Sequence, residues 1–199
     1  MYDTLIAFFN KHLDKPLTES EIISLREIFT VKRMRKHMFF LQEGEVCQMV
    51  GFVTKGAFRQ YTIDESGKES ILNLFLENWW VADRESFADG TPSPYFIDAC
   101  EDGELLVFTR EDFFEKIDSL PFLKEVSRKL TERNSYQLLK RVHHAKALSA
   151  EERLVNLEET YPEFLQRFPQ HMIASYLGMT KETLSRIRAK HAAFPKKQR

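Results

Sequence analysis

The chain has 199 residues, 43% hydrophobic and 30% charged, with 29 Lys and Arg against 30 Asp and Glu and a formal net charge of -1. This excludes long disorder and fibrous repeats and allows one sizeable domain or two small ones. No stretch approaches the roughly 18 uncharged apolar residues of a membrane span, and the N-terminus lacks a basic n-region and a small-residue cleavage site. The expectation is a soluble cytoplasmic protein with no membrane partner. Cys47 and Cys100 are too few for a disulfide framework, a structural zinc or an iron–sulfur site. Taken alone, the near-zero net charge argues against a nucleic-acid partner.

Three zones follow in chain order. The first, residues 1–118, opens with an amphipathic helix near Asp3 to Leu13. A second helix starts at Thr18-Glu19-Ser20-Glu21, where the Thr18 hydroxyl and the Glu21 carboxylate can cap each other's amides. From Val31 short strands are predicted at Met49 to Lys55, Ala57 to Thr62, Glu69 to Phe75, Trp79 to Ala82, Tyr95 to Ala99 and Glu104 to Thr109, with Asp64 to Gly67 as a hairpin turn. Eleven Phe, two Trp and two Tyr between residues 29 and 114 suit the inside of a small barrel or jelly roll.

The second zone, residues 119–148, follows a short helix capped by Thr109. Pro121 suits the first turn of a long helix whose apolar positions are Phe122, Leu123, Val126, Leu130, Leu138, Leu139, Val142, Ala145 and Leu148. Such a helix links domains, pairs with a second copy, or packs on its own domain. The third zone, residues 149–199, is helical. Ser149 and Glu152 form a second capping box, and Pro169 suits position N1 of a later helix.

Charge divides sharply along the chain. Residues 166–199 hold eight Lys and Arg against Glu182 alone, so this segment carries +7 and the preceding 165 residues carry -8. A basic terminus on an acidic body fits a polyanion-binding module, or else a solvated tail. Apolar spacing favours the module. Ile173, Ala174 and Leu177 share one helix face, and Leu184 and Ile187 share another. Gly178 lies between them, where a sharp turn needs positive φ. This is helix-turn-helix spacing. Thr180 can cap the second helix, whose Lys181, Glu182, Ser185 and Arg186 face away from the apolar pair. Arg186 or Lys181 can donate to guanine, and Glu182 can accept from cytosine N4 or serve only the helix dipole.

With these residues the chain resembles the Crp/Fnr family of bacterial transcription regulators. The most specific match is Gly178-Met179-Thr180-Lys181-Glu182-Thr183-Leu184-Ser185-Arg186. Looser matches lie at Gln42 to Glu45, Val53 to Gly56 and Asp64 to Glu69. The resemblance implies an α+β fold: an N-terminal β-roll sensor of jelly-roll type with flanking helices, a long dimerisation helix, and a C-terminal helix-turn-helix domain. It implies a homodimer through residues 119–148 on palindromic double-stranded DNA, with RNA polymerase as a partner. Thr180, Lys181, Glu182, Thr183, Ser185, Arg186, Arg188 and Lys190 are the expected DNA-binding residues.

The chain departs from the family at three points. Cyclic-nucleotide members carry Gly-Glu and, further on, Arg-Ser or Arg-Thr to grip the phosphate and ribose. Here Ala82-Asp83 and Ser93 stand in that stretch, without the cation that would neutralise a phosphate. The N-terminal cysteine cluster of oxygen-sensing members is absent. His191 to Arg199 is too short for the family's β-hairpin wing, so the basic tail is expected to touch phosphates instead.

The expected effector is thus an unknown small molecule other than a cyclic nucleotide. Arg59, Tyr61, Trp80, Asp83 and Arg84 are the candidates to line its pocket, with core packing as the alternative for the tryptophans. A cyclic-nucleotide-responsive regulator is the nearest alternative. A cupin-like small-molecule-binding protein or enzyme is the alternative from another class, but only His37 of six histidines lies in the strand zone. No catalytic residue, metal ligand or cofactor is expected.

Overall fold

A computed structural model describes residues 1–193. Two helices, α1 (Tyr2–His12) and α2 (Glu19–Ile28), precede eight strands: β1 (Thr30–Met34), β2 (Phe39–Leu41), β3 (Met49–Lys55), β4 (Phe58–Ile63), β5 (Glu69–Phe75), β6 (Trp80–Val81), β7 (Phe96–Ala99) and β8 (Gly103–Thr109). Helix α3 (Arg84–Asp89) interrupts the strands, and α4 (Arg110–Lys116) leads through a 3-10 turn into α5 (Pro121–Ala147). Helices α6 (Ala150–Thr160), α7 (Phe164–Arg167), α8 (Gln170–Tyr176) and α9 (Lys181–Ala193) follow.

The strands form two antiparallel sheets, ordered β1-β8-β3-β6 and β2-β7-β4-β5. One core fills the space between them and extends under α1, α2 and the start of α5 through Phe9, Phe29, Phe52, Phe58 and Leu105. The predicted roll is therefore present, with most of its aromatic load inside and Phe39 and Phe114 exposed. The capping boxes form at Thr18–Glu21 and Ser149–Glu152 as read from the sequence. Pro121 occupies the first turn of α5 as expected. Pro169 differs: its extended backbone makes it the N-cap of α8, one residue before the expected N1 position. Helix α3, absent from the sequence reading, exists because the Asp83 carboxylate accepts from the amides of Glu85 and Ser86 and Gly90 closes it with φ +71°.

The stripe on α5 divides. Phe122, Leu123 and Val126 are buried on the roll, whereas Tyr136, Leu138, Leu139 and Val142 are 70, 60, 68 and 45% exposed. Its first half packs on its own domain, one of the three arrangements expected, and its second half leaves an apolar face open.

A second core crosses the boundary expected at residue 148. Ala57, Tyr61, Ile71, Leu74 and Leu76 of the roll pack with Leu154, Leu157, Phe164, Phe168, Ile173, Ala174, Leu184 and Ile187. Strand β5 is a sheet edge, and its outward amides need cover. Helix α8 supplies it: Ile71 N donates to Ser175 Oγ at 2.9 Å. Leu72 is the extra residue of a bulge, since Gln60 pairs with Asn73 and Tyr61 with Ile71.

Candidate nucleic-acid interface

Helices α8 and α9 meet through a tight turn built from the residues that the spacing singled out. Gly178 has φ +65°, its amide donates to Ser175 O, and Met179 N donates to Ala174 O. A side chain at Gly178 would meet open space, so glycine is required there by backbone conformation rather than crowding. Ala174 and Leu184 are fully buried and Ile187 nearly so, which fixes α9 against α8.

This burial leaves one polar face outward. Thr180, Lys181, Glu182, Ser185 and Arg186 are exposed, and Thr183 and Arg188 are half-buried. Thr180 Oγ1 accepts from Thr183 N at 3.2 Å, capping the helix. The Glu182 carboxyl is held below its ordinary value by its own backbone amide and by the Thr180 hydroxyl. Glu182 is thus ionised in the first turn, where the helix dipole favours it. Lys190 points elsewhere: its Nζ lies 2.9 Å from Glu151 Oε2, and His191 Nε2 lies 3.0 Å from Glu151 Oε1. The basic tail residues Lys196, Lys197 and Arg199 lie outside the described residues.

The five candidate effector residues fall into three separate places. Arg59 and Tyr61 are both buried on β4, with the Arg59 guanidinium 4.1 Å from the centre of the Tyr61 ring. Arg59 is only 9% and Asp98 3% exposed, and they form a bidentate pair at 2.8 and 2.9 Å. Glu69 completes it at 2.5 Å. Burial alone would lower the Arg59 value, but Asp98 and Glu69 outweigh it and raise it. Burial and then Asp98 push the Tyr61 phenol up to about 12. Trp80 lies in the other core, against Phe8, Phe9, Phe29, Phe52 and Phe108. The core alternative therefore describes its surroundings.

Asp83 is buried as the cap of α3, while Arg84 reaches across to α5. Its Nη1 is 3.5 Å from Thr131 Oγ1, and Asn134, with its amide oxygen turned toward the guanidinium, accepts from it at 2.9 Å. Ser93 is 2% exposed and its Oγ accepts from Tyr95 N at 3.1 Å.

Several polar residues were missed by sequence reasoning. Asn73 bonds Gln60 at 2.6 Å and Arg141 at 2.8 Å, tying the bulge in β5 to α5. Arg167 pairs with Glu77 and Glu101 of the roll. The signal for Asp98 was available: an acid inside an apolar strand needs a buried cation opposite it.

Among the described residues no helix is long and apolar enough to cross a membrane, and no group of three His, Cys, Asp or Glu can hold a metal ion. No curated protein sequence matches the chain. Residues 31–119 match the family profile of the cyclic nucleotide-binding domain. Among solved structures, the catabolite activator protein of Thermus thermophilus is 23% identical with a TM-score of 0.55, covering 89% of this chain and 84% of its own. FixK2 of Bradyrhizobium japonicum is 21% identical with a TM-score of 0.68 over 83% and 85%. A Eubacterium rectale protein assigned to the Crp/Fnr family of transcriptional regulators is 13% identical with a TM-score of 0.66 over 89% and 84%. The chain thus carries a region matching the cyclic nucleotide-binding domain family within the overall fold of Crp/Fnr-type transcription regulators.

Proposed function

We propose that this protein is a homodimeric, sequence-specific DNA-binding transcription regulator of Crp/Fnr type, divided into a sensor roll (1–118), a dimerisation helix (119–148) and a DNA-binding unit (149–199). One observation carries the reading: a capped helix whose buried Leu184 and Ile187 leave Lys181, Glu182, Ser185 and Arg186 together on an exposed face. Such a face fits a major groove, with its first turn against base edges. Arg188 and the tail cations suit phosphates, while Lys190 contributes only if it leaves Glu151. The exposed Tyr136, Leu138, Leu139 and Val142 of α5 suit a seam with a second copy, and two such units read a palindrome. RNA polymerase is the partner this role implies.

Genomic fragments selected on purified protein at moderate salt should yield one enriched, two-fold symmetric motif. Arg186→Ala should then relax preference at one base position per half-site, at a cost of about 1–3 kcal/mol. Failure to enrich any motif would sink the proposal.

The effector reading excludes a cyclic nucleotide. Asp83 is spent on capping α3, and buried Ser93 supplies no cation where a cyclic phosphate would need one. The family match over residues 31–119 favours the second reading, a cyclic-nucleotide-responsive regulator. Calorimetry with cyclic AMP and cyclic GMP separates the two, and tight stoichiometric heat with either would favour the second.

A further inference from the structure

Helix α6 begins with two acids whose partners differ. Glu152 belongs to the capping box, its carboxylate accepting from Ser149 N at 2.8 Å. Glu151 reaches instead to the last turn of α9. One of its oxygens lies 2.9 Å from Lys190 Nζ and the other 3.0 Å from His191 Nε2. Lys190 and then His191 hold its carboxyl below the ordinary value, so Glu151 is ionised at neutral pH.

The packing of the two helices sets this contact. Leu154 of α6 shares a buried core with Leu184 and Ile187 of α9. Glu151 stands one turn before Leu154, and Lys190 and His191 stand one turn after Ile187, so the faces that bury the core also bring the charges together. Lys190 is also one turn beyond Arg186, which puts it on the Arg186 side of the exposed face. The Lys190 side chain is 63% and that of Glu151 41% exposed, so a polyanion approaching α9 meets both.

We propose that Glu151 is a built-in competitor of the DNA phosphate, occupying Lys190 much as a phosphate oxygen would and repelling a phosphate from that edge of α9. This deepens the DNA-binding reading above and rests on it. Moving Lys190 to a phosphate would leave Glu151 bare, so the exchange swaps one charge-assisted pair for another and gains little. One of the four Lys and Arg of α9 is thereby withheld from the sequence-independent part of binding. The choice of base stays with Lys181, Glu182 and Arg186, which the contact leaves exposed.

The test titrates wild type, Glu151→Gln, Lys190→Gln and the double variant over a range of salt. Two duplexes of equal length are used, the selected motif and a scrambled sequence, with thermal midpoints as a folding control. Glu152 keeps the α6 cap in all four proteins. Glu151→Gln should tighten binding to both duplexes by roughly 3- to 30-fold, with a log–log salt slope steeper by about 0.9 for each Lys190 released. Lys190→Gln should remove that increment in the Glu151→Gln background and have a clearly smaller effect in wild type. The enriched motif should be the same with and without Glu151.

A Glu151→Gln protein that binds both duplexes as wild type does, with wild type still selecting a motif, would overturn this inference alone. So would a Lys190→Gln effect of equal size in the two backgrounds, because Lys190 would then act without regard to Glu151. A motif altered by Glu151→Gln would also overturn it, making Glu151 a reader of bases. A wild type that selects no motif would overturn the DNA-binding reading, and this inference with it.

Discussion

Replacing Arg167 with alanine removes the cation that bridges the C-terminal helices to the roll. Its guanidinium holds Glu77 at 3.1 Å and also pairs with Glu101, and Glu77 simultaneously accepts from Gly56 N at 2.8 Å. The three side chains are 29, 31 and 37% exposed, between the surface pairs worth a few tenths and the buried ones worth several kcal/mol. A charge-assisted pair of this kind, discounted for solvent screening, is worth about 1–2 kcal/mol in total. For a chain of this size the expected loss is about 2–8 °C in thermal midpoint, read by circular dichroism. Burial alone would raise the Glu77 carboxyl, but Arg167 and the amides of Glu77 and Gly56 hold it below its ordinary value. A depressed acid contributes stability above the unfolded value, 4.5, and loses it as pH falls through the folded value. The gap between wild type and variant should therefore be full at pH 7 and close in the acid range. Glu77→Gln keeps an acceptor for Gly56, so a double-mutant cycle with Arg167→Ala isolates the ion pair. Coincident midpoints at pH 7, or a gap that ignores acid, would refute the reasoning.

Two further outcomes follow from local geometry. Gly56 has φ +102° and an added Cβ would lie 2.7 Å from Gly103 Cα, whereas Gly178 has φ +65° and open space around it. Urea unfolding should show Gly178→Ala costing about 1–2 kcal/mol, the conformational penalty alone, and Gly56→Ala clearly more. Leu139→Glu, at a position 68% exposed in one chain, should change protomer stability by less than about 0.5 kcal/mol. It should nevertheless convert a sedimenting dimer to monomer. An unchanged sedimentation coefficient would move the seam off α5.

What was legible in the sequence was local. Capping boxes at Thr18 and Ser149, the Asp64–Gly67 turn and the period of β3 and β5 are written in neighbouring residues, and each appears where expected. The spacing around Gly178 belongs to the same class, because two short helices and a turn close within about 20 residues. What was not legible was non-local. Arg59 and Tyr61 could be named as polar residues in a strand. Their partner Asp98 is 39 residues from Arg59 and adjacent only through the β4–β7 pairing. Trp80 illustrates the same limit. Its neighbours Phe9, Phe29 and Phe108 come from one helix, the residue ahead of β1, and β8, so only topology tells a core tryptophan from a pocket lining.

Charge shows how this limit bears on function. Residues 166–199 carry +7, yet two of those cations are engaged outside the segment: Arg167 with Glu77 and Glu101, Lys190 with Glu151. Arg167 belongs to the contact that seats the C-terminal helices, so counting it toward a nucleic-acid surface overstates the field there. The acidic body errs in the opposite sense. Its -8 conceals a basic run from Lys32 to Lys36, at the end of the roll that Arg167 holds. A polyanion responds to the potential over the surface it approaches, within about a Debye length, not to the sum over a segment of chain. The Arg167 clamp sets one guanidinium against the carboxylates of Glu77 and Glu101, so it leaves a local charge of -1 there rather than lending a cation to a nucleic-acid surface.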